Sequence, residues 1–442
     1  MGEHEEGSAP PVEDTPSVRT TVREFLALER DVLVLSVAMF AFSLGFQMTS
    51  RYIPEYMVVL GATPLIIGLY GTFGNIISAV YPYPGGAVSD RIGSRFALTL
   101  FGLLSSLGFL FWLVAPTLGP LSLGTIIVEP WVWIFVGLIL AQAWKSFGLG
   151  ATFAIVKQSV SSDRLATGFA STETFRRTAF LVGPLLAAGL LFVVDDFALG
   201  FQYVLAIAVV FGVAATISQH VLYDSSGDTV GKEFEGLTQL LADLRELPAE
   251  LRPLLIGDTL VRFANGMVYV FFVIVVTRFL EVDVTLFGYY LSPAVFFGIL
   301  LGIEMLVALL TMVPVAKLAE RVGLKPVVAI GFAVYAIFPL LLIYAPADAL
   351  IVALLFAFSG LRFAGLPAHK ALIVGPAERD TGGRVTGAYY LLRNAVVIPS
   401  AALGGWLWSV ASPELAFGFA SVVGIVGTAY FLAFGKEYQA YA

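Results

Sequence analysis

Residues 84–95 read Pro84-Gly85-Gly86-Ala87-Val88-Ser89-Asp90-Arg91-Ile92-Gly93-Ser94-Arg95. Residues 314–325 read Pro314-Val315-Ala316-Lys317-Leu318-Ala319-Glu320-Arg321-Val322-Gly323-Leu324-Lys325. Proline, acid, arginine, glycine and cation recur in register at one constant offset: Pro84/Pro314, Asp90/Glu320, Arg91/Arg321, Gly93/Gly323 and Arg95/Lys325. Gly68 and Gly298 match at the same offset. Lys145-x-x-Gly148-x-Gly150 also aligns with Arg362-x-x-Gly365-x-Pro367, displaced by a longer connection near 117–130 in the first half. Self-similarity in register marks a chain made of two copies of one structural unit.

The unit is a membrane unit. Of the 442 residues, 58% are apolar, 13% are charged, and the mean hydropathy is +0.88. Soluble domains reach only ~45–50% apolar with glycine counted, and ~25% charged. The apolar runs are continuous, which excludes a β-barrel, whose strands alternate polar and apolar residues. Spans are predicted over about 32–56, 63–86, 97–118, 131–155, 167–194, 198–222, 254–277, 290–315, 327–346, 349–369, 384–410 and 415–435. At ~20 residues per crossing, these leave room for short loops and two modest tails.

The basic residues are ordered around these spans. With the N-terminus in the cytoplasm, inner segments hold Arg19, Arg23, Arg30, Arg91, Arg95, Lys157, Arg164, Lys232, Arg245, Arg252, Lys317, Arg321, Lys325, Lys370, Arg379, Arg384 and Lys436. Outer connections hold Arg278 alone. This bias predicts a multi-pass protein of the cell membrane with both ends inside. The organisation expected is an acidic tail over 1–30, six helices over 31–222, a central loop over 223–253, six helices over 254–435 and a tail over 436–442. In the loop, Phe234, Leu237, Leu240, Leu241, Leu244 and Leu247 form one face of an amphipathic helix.

Cysteine is absent, and the three histidines, His4, His220 and His369, lie far apart in sequence. No zinc, nucleophile-elbow or Walker pattern is present. An enzyme, an ATP-driven pump, a metal site and a cofactor are all unexpected. With a net charge of −7, no nucleic-acid partner is expected either.

Gly86-x-x-x-Asp90-Arg91-x-Gly93-x-Arg95, following the second of twelve spans and repeated after the eighth, resembles the helix 2–3 signature loop of the major facilitator superfamily of secondary transporters. The second copy has Ala316 for the first glycine and Glu320 for the aspartate. The resemblance runs from about residue 31 to 435. It implies an all-α membrane protein of twelve helices in two pseudo-symmetric six-helix bundles, with helices 1, 4, 7 and 10 lining a central cavity. In the loop, Asp90 can accept from backbone amides at a helix N-terminus or pair with arginine. Arg91 and Arg95 can bridge to carboxylates or lipid phosphates. Gly183-Pro184 in span five is similar to the glycine-proline motif of the superfamily's antiporters, with a role in bending and close packing.

Charges inside spans cost ~2.5–3.5 kcal/mol at the bilayer centre, so each needs a partner, a wet cavity or a role. Lys145 and Arg362 occupy equivalent places in spans four and ten, where they suit an anionic substrate, a carboxylate counter-ion or a fixed ion pair. Glu304 has no basic neighbour in sequence, which makes it the candidate proton carrier; a permanently paired or cavity-edge glutamate is the alternative reading. Asp258 and Arg262, four apart with Asn265 beside them, are expected to neutralise each other. Arg51 and Glu55, also four apart around Pro54, are expected to pair locally or to form an outer gate. Glu173 is expected in an inner charge cluster with Asp90.

These residues predict a monomeric secondary transporter in the lipid bilayer that moves a small molecule together with protons. Export is the first expectation, uptake of an organic anion or metabolite the second. A non-transporting sensor or scaffold is the rival of another class. Cysteines introduced at Ser8 or Ser226 should react with impermeant thiol reagents only after the membrane is opened; labelling on intact cells would overturn the topology.

Overall fold

The computed structural model describes residues 30–81, 88, 91–144, 165–223, 247–376 and 382–437. Helices fall on the apolar stretches. They are α1 (Arg30–Thr49, resuming as Ile53–Val59), α2 (Pro64–Val80), α3 (Ser94–Val114) and α4 (Val132–Trp144). Then come α5 (Leu165–Val193), α6 (Phe197–Leu222), α7 (Ala249–Phe279) and α8 (Pro293–Val322). The chain continues with α9 (Leu324–Ile343), α10 (Ala349–Val374), α11 (Gly382–Val397, resuming as Ser400–Val410) and α12 (Pro413–Phe434). Among the described residues, α3, α6, α7, α8, α9, α10 and α12 are long and apolar enough to cross a membrane. The amphipathic helix expected around 234–247 lies outside the described residues, Leu247 excepted.

Three helices are interrupted where proline removes a backbone donor and crowds the preceding turn. Pro54 follows the break in α1, and Pro399 sits in the break in α11. In α10 a short 3₁₀ turn, Leu361–Phe363, precedes Pro367. Pro184, Pro314 and Pro339 lie inside continuous helices. Two elements were not foreseen: the antiparallel hairpins β1–β2 (Leu121–Leu123, Ile126–Val128) and β3–β4 (Val284–Leu286, Tyr289–Leu291). Each follows an odd-numbered helix, α3 or α7, and they mark what we term the hairpin end of the bundle. The opposite end is the loop end.

The second signature copy is more helical than a loop. α8 runs through Glu320 and Arg321 to Val322, and the turn is Gly323 alone. Gly323 has φ 95° and ψ 161°; its counterpart Gly93 has φ 83° and ψ 154°. Only glycine adopts that region without strain, which explains why this residue recurs in both copies.

Packing repeats with the sequence. In the first half α6 packs on α1 and α3; in the second, α12 packs on α7 and α9. The halves meet along two seams, α2 with α11 and α5 with α8, which exchange under the repeat. The matched glycines sit on these seams. A Cβ on Gly68 would meet the Ala401 carbonyl of α11, and one on Gly298 would come within 2.7 Å of the Ala188 Cβ in α5. Gly183 is likewise a close approach: its Cβ would lie 2.7 Å from the Cβ of Gln47 in α1. At the hairpin end one apolar core spans both halves, joining Tyr52, Tyr56, Trp112 and Phe201 to Phe271, Phe297 and Phe356. Toward the loop end, the described core divides in two. Leu35, Phe101 and Trp144 belong to the first half; Leu254, Phe332 and Phe431 belong to the second. Among the described residues, the molecule is thus sealed at one end and split at the other.

Gly323→Ala should lower stability by about 1–3 kcal/mol through backbone strain. Gly418→Ala, in helix α12 with open space around it, should be neutral or stabilising by up to ~1 kcal/mol. Thermal unfolding in detergent measures both; equal shifts would remove the strained turn as the reason for the repeated glycine.

Candidate functional site

Within the second half lie two clusters of buried charge. The first joins α8 to α10. Arg362, in the 3₁₀ turn before Pro367, places Nη2 2.6 Å from Oε1 of Glu304. The Ser359 hydroxyl donates to the same oxygen at 2.5 Å. Both charged side chains are buried, at 1% and 5% exposure. Four rings surround the guanidinium, with Phe363 and Tyr335 at 4.7 and 5.2 Å and Phe338 and Tyr269 farther out. Glu304 is therefore not the isolated carboxylate that its sequence neighbours imply, and Arg362 is not an unpartnered cavity cation. Helix packing supplies the partner from 58 residues away.

The second cluster is built on Asp258 of α7, which is wholly buried. Its Oδ1 accepts from Nε of Arg262 at 3.2 Å. Its Oδ2 accepts from Nη1 of Arg393 in α11 and from the Tyr389 hydroxyl, both at 3.1 Å. Nε2 of His369 in α10 lies 3.2 Å from the same oxygen. Arg262 also donates to the Tyr335 hydroxyl at 2.7 Å, and that ring faces Arg362 as well. Tyr335 thus bridges the two clusters. The expected Asp258–Arg262 pair is present, but sequence reading did not single out Arg393, His369, Tyr389 or Tyr335. The recoverable signals were an Arg393-Asn394 doublet inside an apolar span and the Tyr389/Arg393 spacing of four.

Beside this cluster a cavity of about 190 Å³ is lined by Gly71 and Asn75 of α2, Arg262, Asn265 and Tyr269 of α7, and Arg393 and Asn394 of α11. Asn265 keeps a buried Oδ1 with no hydrogen-bond partner. The guanidinium of Arg51 stacks on the Tyr269 ring at 4.1 Å.

Arg51 and Glu55 do not pair locally. Glu55 instead accepts from Nε of Arg278 at 2.8 Å and from the Thr277 hydroxyl at 2.9 Å. Both partners belong to α7, so this contact crosses between halves at the hairpin end. The Tyr52 hydroxyl crosses there too, donating to the Ala294 carbonyl at 3.0 Å.

Gly86, Asp90 and Lys145 lie outside the described residues, as does the side chain of Glu173. Arg91, Glu320 and Arg321 are exposed. Nε of Arg95 donates to the His220 carbonyl at 2.7 Å, closing the C-terminal end of α6. The amides of Leu324 and Lys325 donate to the carboxylate of Glu437 at 2.7 and 2.8 Å. In the second copy, that cap on a helix N-terminus comes from the residues after α12, not from Glu320. Among the described residues no group of acids and histidines is arranged to hold a metal.

A helical bundle of two like halves, closed at one end around a charged cavity, defines a membrane transport protein rather than an enzyme. The chain belongs to the major facilitator superfamily, whose family model matches residues 3–128 and 35–303. It is 24% identical over 401 residues to an uncharacterized MFS-type transporter of Methanocaldococcus jannaschii, covering 90% of this chain and 93% of the relative. Its fold is similar to that of the nucleoside transporter NupG, with a TM-score of 0.70 at 14% identity over 92% of this chain and 100% of that one. A POT family transporter in complex with 5-aminolevulinic acid gives 0.72 at 14% identity, covering 93% and 99%. A bacterial homologue of the iron transporter ferroportin, in an inward-facing state, gives 0.71 at 12% identity, covering 92% and 99%.

The buried pair generates a stability prediction. Glu304→Gln leaves the Arg362 charge unmatched, and breaking a buried pair from one side costs ~3–5 kcal/mol. Adding Arg362→Met should restore most of that loss in detergent thermal unfolding. Wild-type stability in Glu304→Gln alone would show that the pair contributes nothing to the fold.

Proposed function

We propose that the protein is a monomeric, proton-coupled secondary transporter of the cell membrane, with both termini cytoplasmic and two six-helix bundles, 31–222 and 254–435, rocking about a central site. The observation that carries this reading is the asymmetry of the contacts between halves. The apolar core is continuous at the hairpin end and divided at the loop end, with the charged cavity between. An arrangement closed on one side of its site is one state of an alternating-access cycle.

The proton-coupling role stays with Glu304, the candidate from sequence, with Asp258 next: each buried carboxylate holds arginine, Glu304 holding Arg362 and Asp258 holding Arg262 and Arg393, so a proton gained by either would loosen that hold. His369 faces Asp258 within the group that also holds Arg262, Arg393 and Tyr389. Export, the first expectation, and uptake are the two senses of the same cycle.

Membrane vesicles loaded with a cell metabolite extract, with an imposed pH gradient and mass-spectrometric readout, test this reading. At least one small molecule should move faster than in vesicles lacking the protein. Collapsing the gradient should reduce its accumulation at least several-fold, and the sign of the flux gives the direction. Gradient-independent flux would remove the coupling; no flux of any compound would favour a sensor or scaffold.

A further inference from the structure

We infer that the transported molecule is a small organic oxyanion, a carboxylate or phosphate of metabolite size, gripped between Arg262 and Arg393. The inference deepens the transporter reading and rests on it.

Charge balance comes first. Among the described residues, the single carboxylate of Asp258 faces two guanidinium groups, with Nε2 of His369 3.2 Å away. The first cluster is internally neutral, one carboxylate against one guanidinium, so it does not compensate the second. A surplus positive charge in a low-dielectric cavity is costly unless an anion or water screens it. Arg262 and Arg393 keep 22% and 16% of their side chains exposed, whereas Asp258 keeps none. The cavity therefore meets the cations and not their counter-ion.

Hydrogen-bonding capacity agrees. Guanidinium groups bind carboxylate and phosphate oxygens through paired N–H donors. Arg262 uses Nε and Nη1 on Asp258 and Tyr335. Arg393 gives Nε and Nη2 to the adjacent Asn394 amide oxygen at 3.1 and 2.9 Å, a neutral local acceptor that an anion can displace. The Oδ1 of Asn265 is buried and unmatched, an acceptor suited to a hydroxyl or amine elsewhere on the ligand. The volume is below the ~300 Å³ at which drug-sized pockets begin, which favours a compact metabolite over a large amphipath. The walls come from both halves, with Gly71 and Asn75 in α2 opposite α7 and α11. A ligand there touches both bundles, as a transported substrate must.

Purified full-length protein in detergent tests the idea by thermal shift and equilibrium binding. The probes are succinate, inorganic phosphate, glycerol 3-phosphate and benzoate, with putrescine and glycerol as cationic and neutral controls. A bound ligand raises the melting temperature in proportion to its occupancy of the folded state. At least one anion should stabilise the protein saturably, and the controls should not. The carboxylate and phosphate arms separate the two headgroup chemistries. Arg393→Gln should weaken that binding at least tenfold, with Arg393→Lys intermediate. If Arg393→Gln fails to fold, Asn265→Asp serves instead: it adds a negative charge to the cavity without altering a partner of Asp258, and it should weaken anion binding at least as much. Anion binding unchanged by either folded variant, or saturable binding of putrescine or glycerol in place of the anions, would overturn the inference. Gradient-driven flux of a neutral or cationic compound in the vesicle assay would overturn the substrate class while leaving the transporter reading intact.

Discussion

Asp258 is the constraint around which the second half is arranged. A carboxylate with no exposure to water is tolerated only when its charge is matched and its lone pairs are filled. Here the matching groups come from three helices: Arg262 on its own helix, His369 on α10, and Tyr389 and Arg393 on α11. Taking those helices apart would strand the charge, so the network fixes their relative positions. It also fixes which way the arginines point, and therefore the polarity of the cavity wall.

Proline supplies the local geometry that lets other charges reach the centre. Arg362 sits in the disrupted turn before Pro367, and Arg51 in the break before Pro54. In each case the helix loses a backbone donor, and the guanidinium is placed against aromatic faces, Phe363 and Tyr335 for Arg362 and Tyr269 for Arg51. Broken helices at membrane depth are tolerated where they are buried in protein or line a cavity. Tyr269 takes Arg51 on its ring, has Arg362 within 6.0 Å and lines the cavity. Helix α1 of the first half and helix α10 of the second are thereby coupled through one side chain of α7.

The repeat made the fold legible. Register between the two signature copies predicted like halves, and the seams α2–α11 and α5–α8 occupy the places where Gly68 and Gly298 already matched. The site was legible only where partners lie on one unbroken helix. Asp258 and Arg262 are four apart within α7 and do pair. Arg51 and Glu55 have the same spacing but straddle the break at Pro54, so the turn rotates them off a common face, and Glu55 turns to Arg278. Glu304 looked isolated because its partner is distant in the chain. Spacing rules describe a single helix; the partners that matter at a centre built from many helices are set by packing, which one sequence does not reveal.

The seal at the hairpin end must be strong enough to exclude solvent and weak enough to open. Arg278 is 45% exposed but Glu55 only 7%, so the pair lies between the exposed case, worth ~0–1 kcal/mol, and the buried case, where removing one partner costs ~3–5 kcal/mol. The Glu55–Arg278 contact therefore both registers the two halves and helps to hold them. Close packing on the two seams adds to it, where Gly68 and Gly298 bring backbones together. That interaction is short-ranged and is lost as soon as the helices separate slightly, which makes closure nearly all-or-none. A ligand shifts such an equilibrium only by its difference in affinity for the two states. In this cavity the charged groups all belong to the second half, while α2 contributes Gly71 and Asn75. Tight binding to the arginines alone would leave the equilibrium where it is. The contacts made with α2, few and uncharged, and Tyr269 beneath Arg51 of α1 are the ones able to report occupancy to the first half, so binding strength and conformational response reside on different groups.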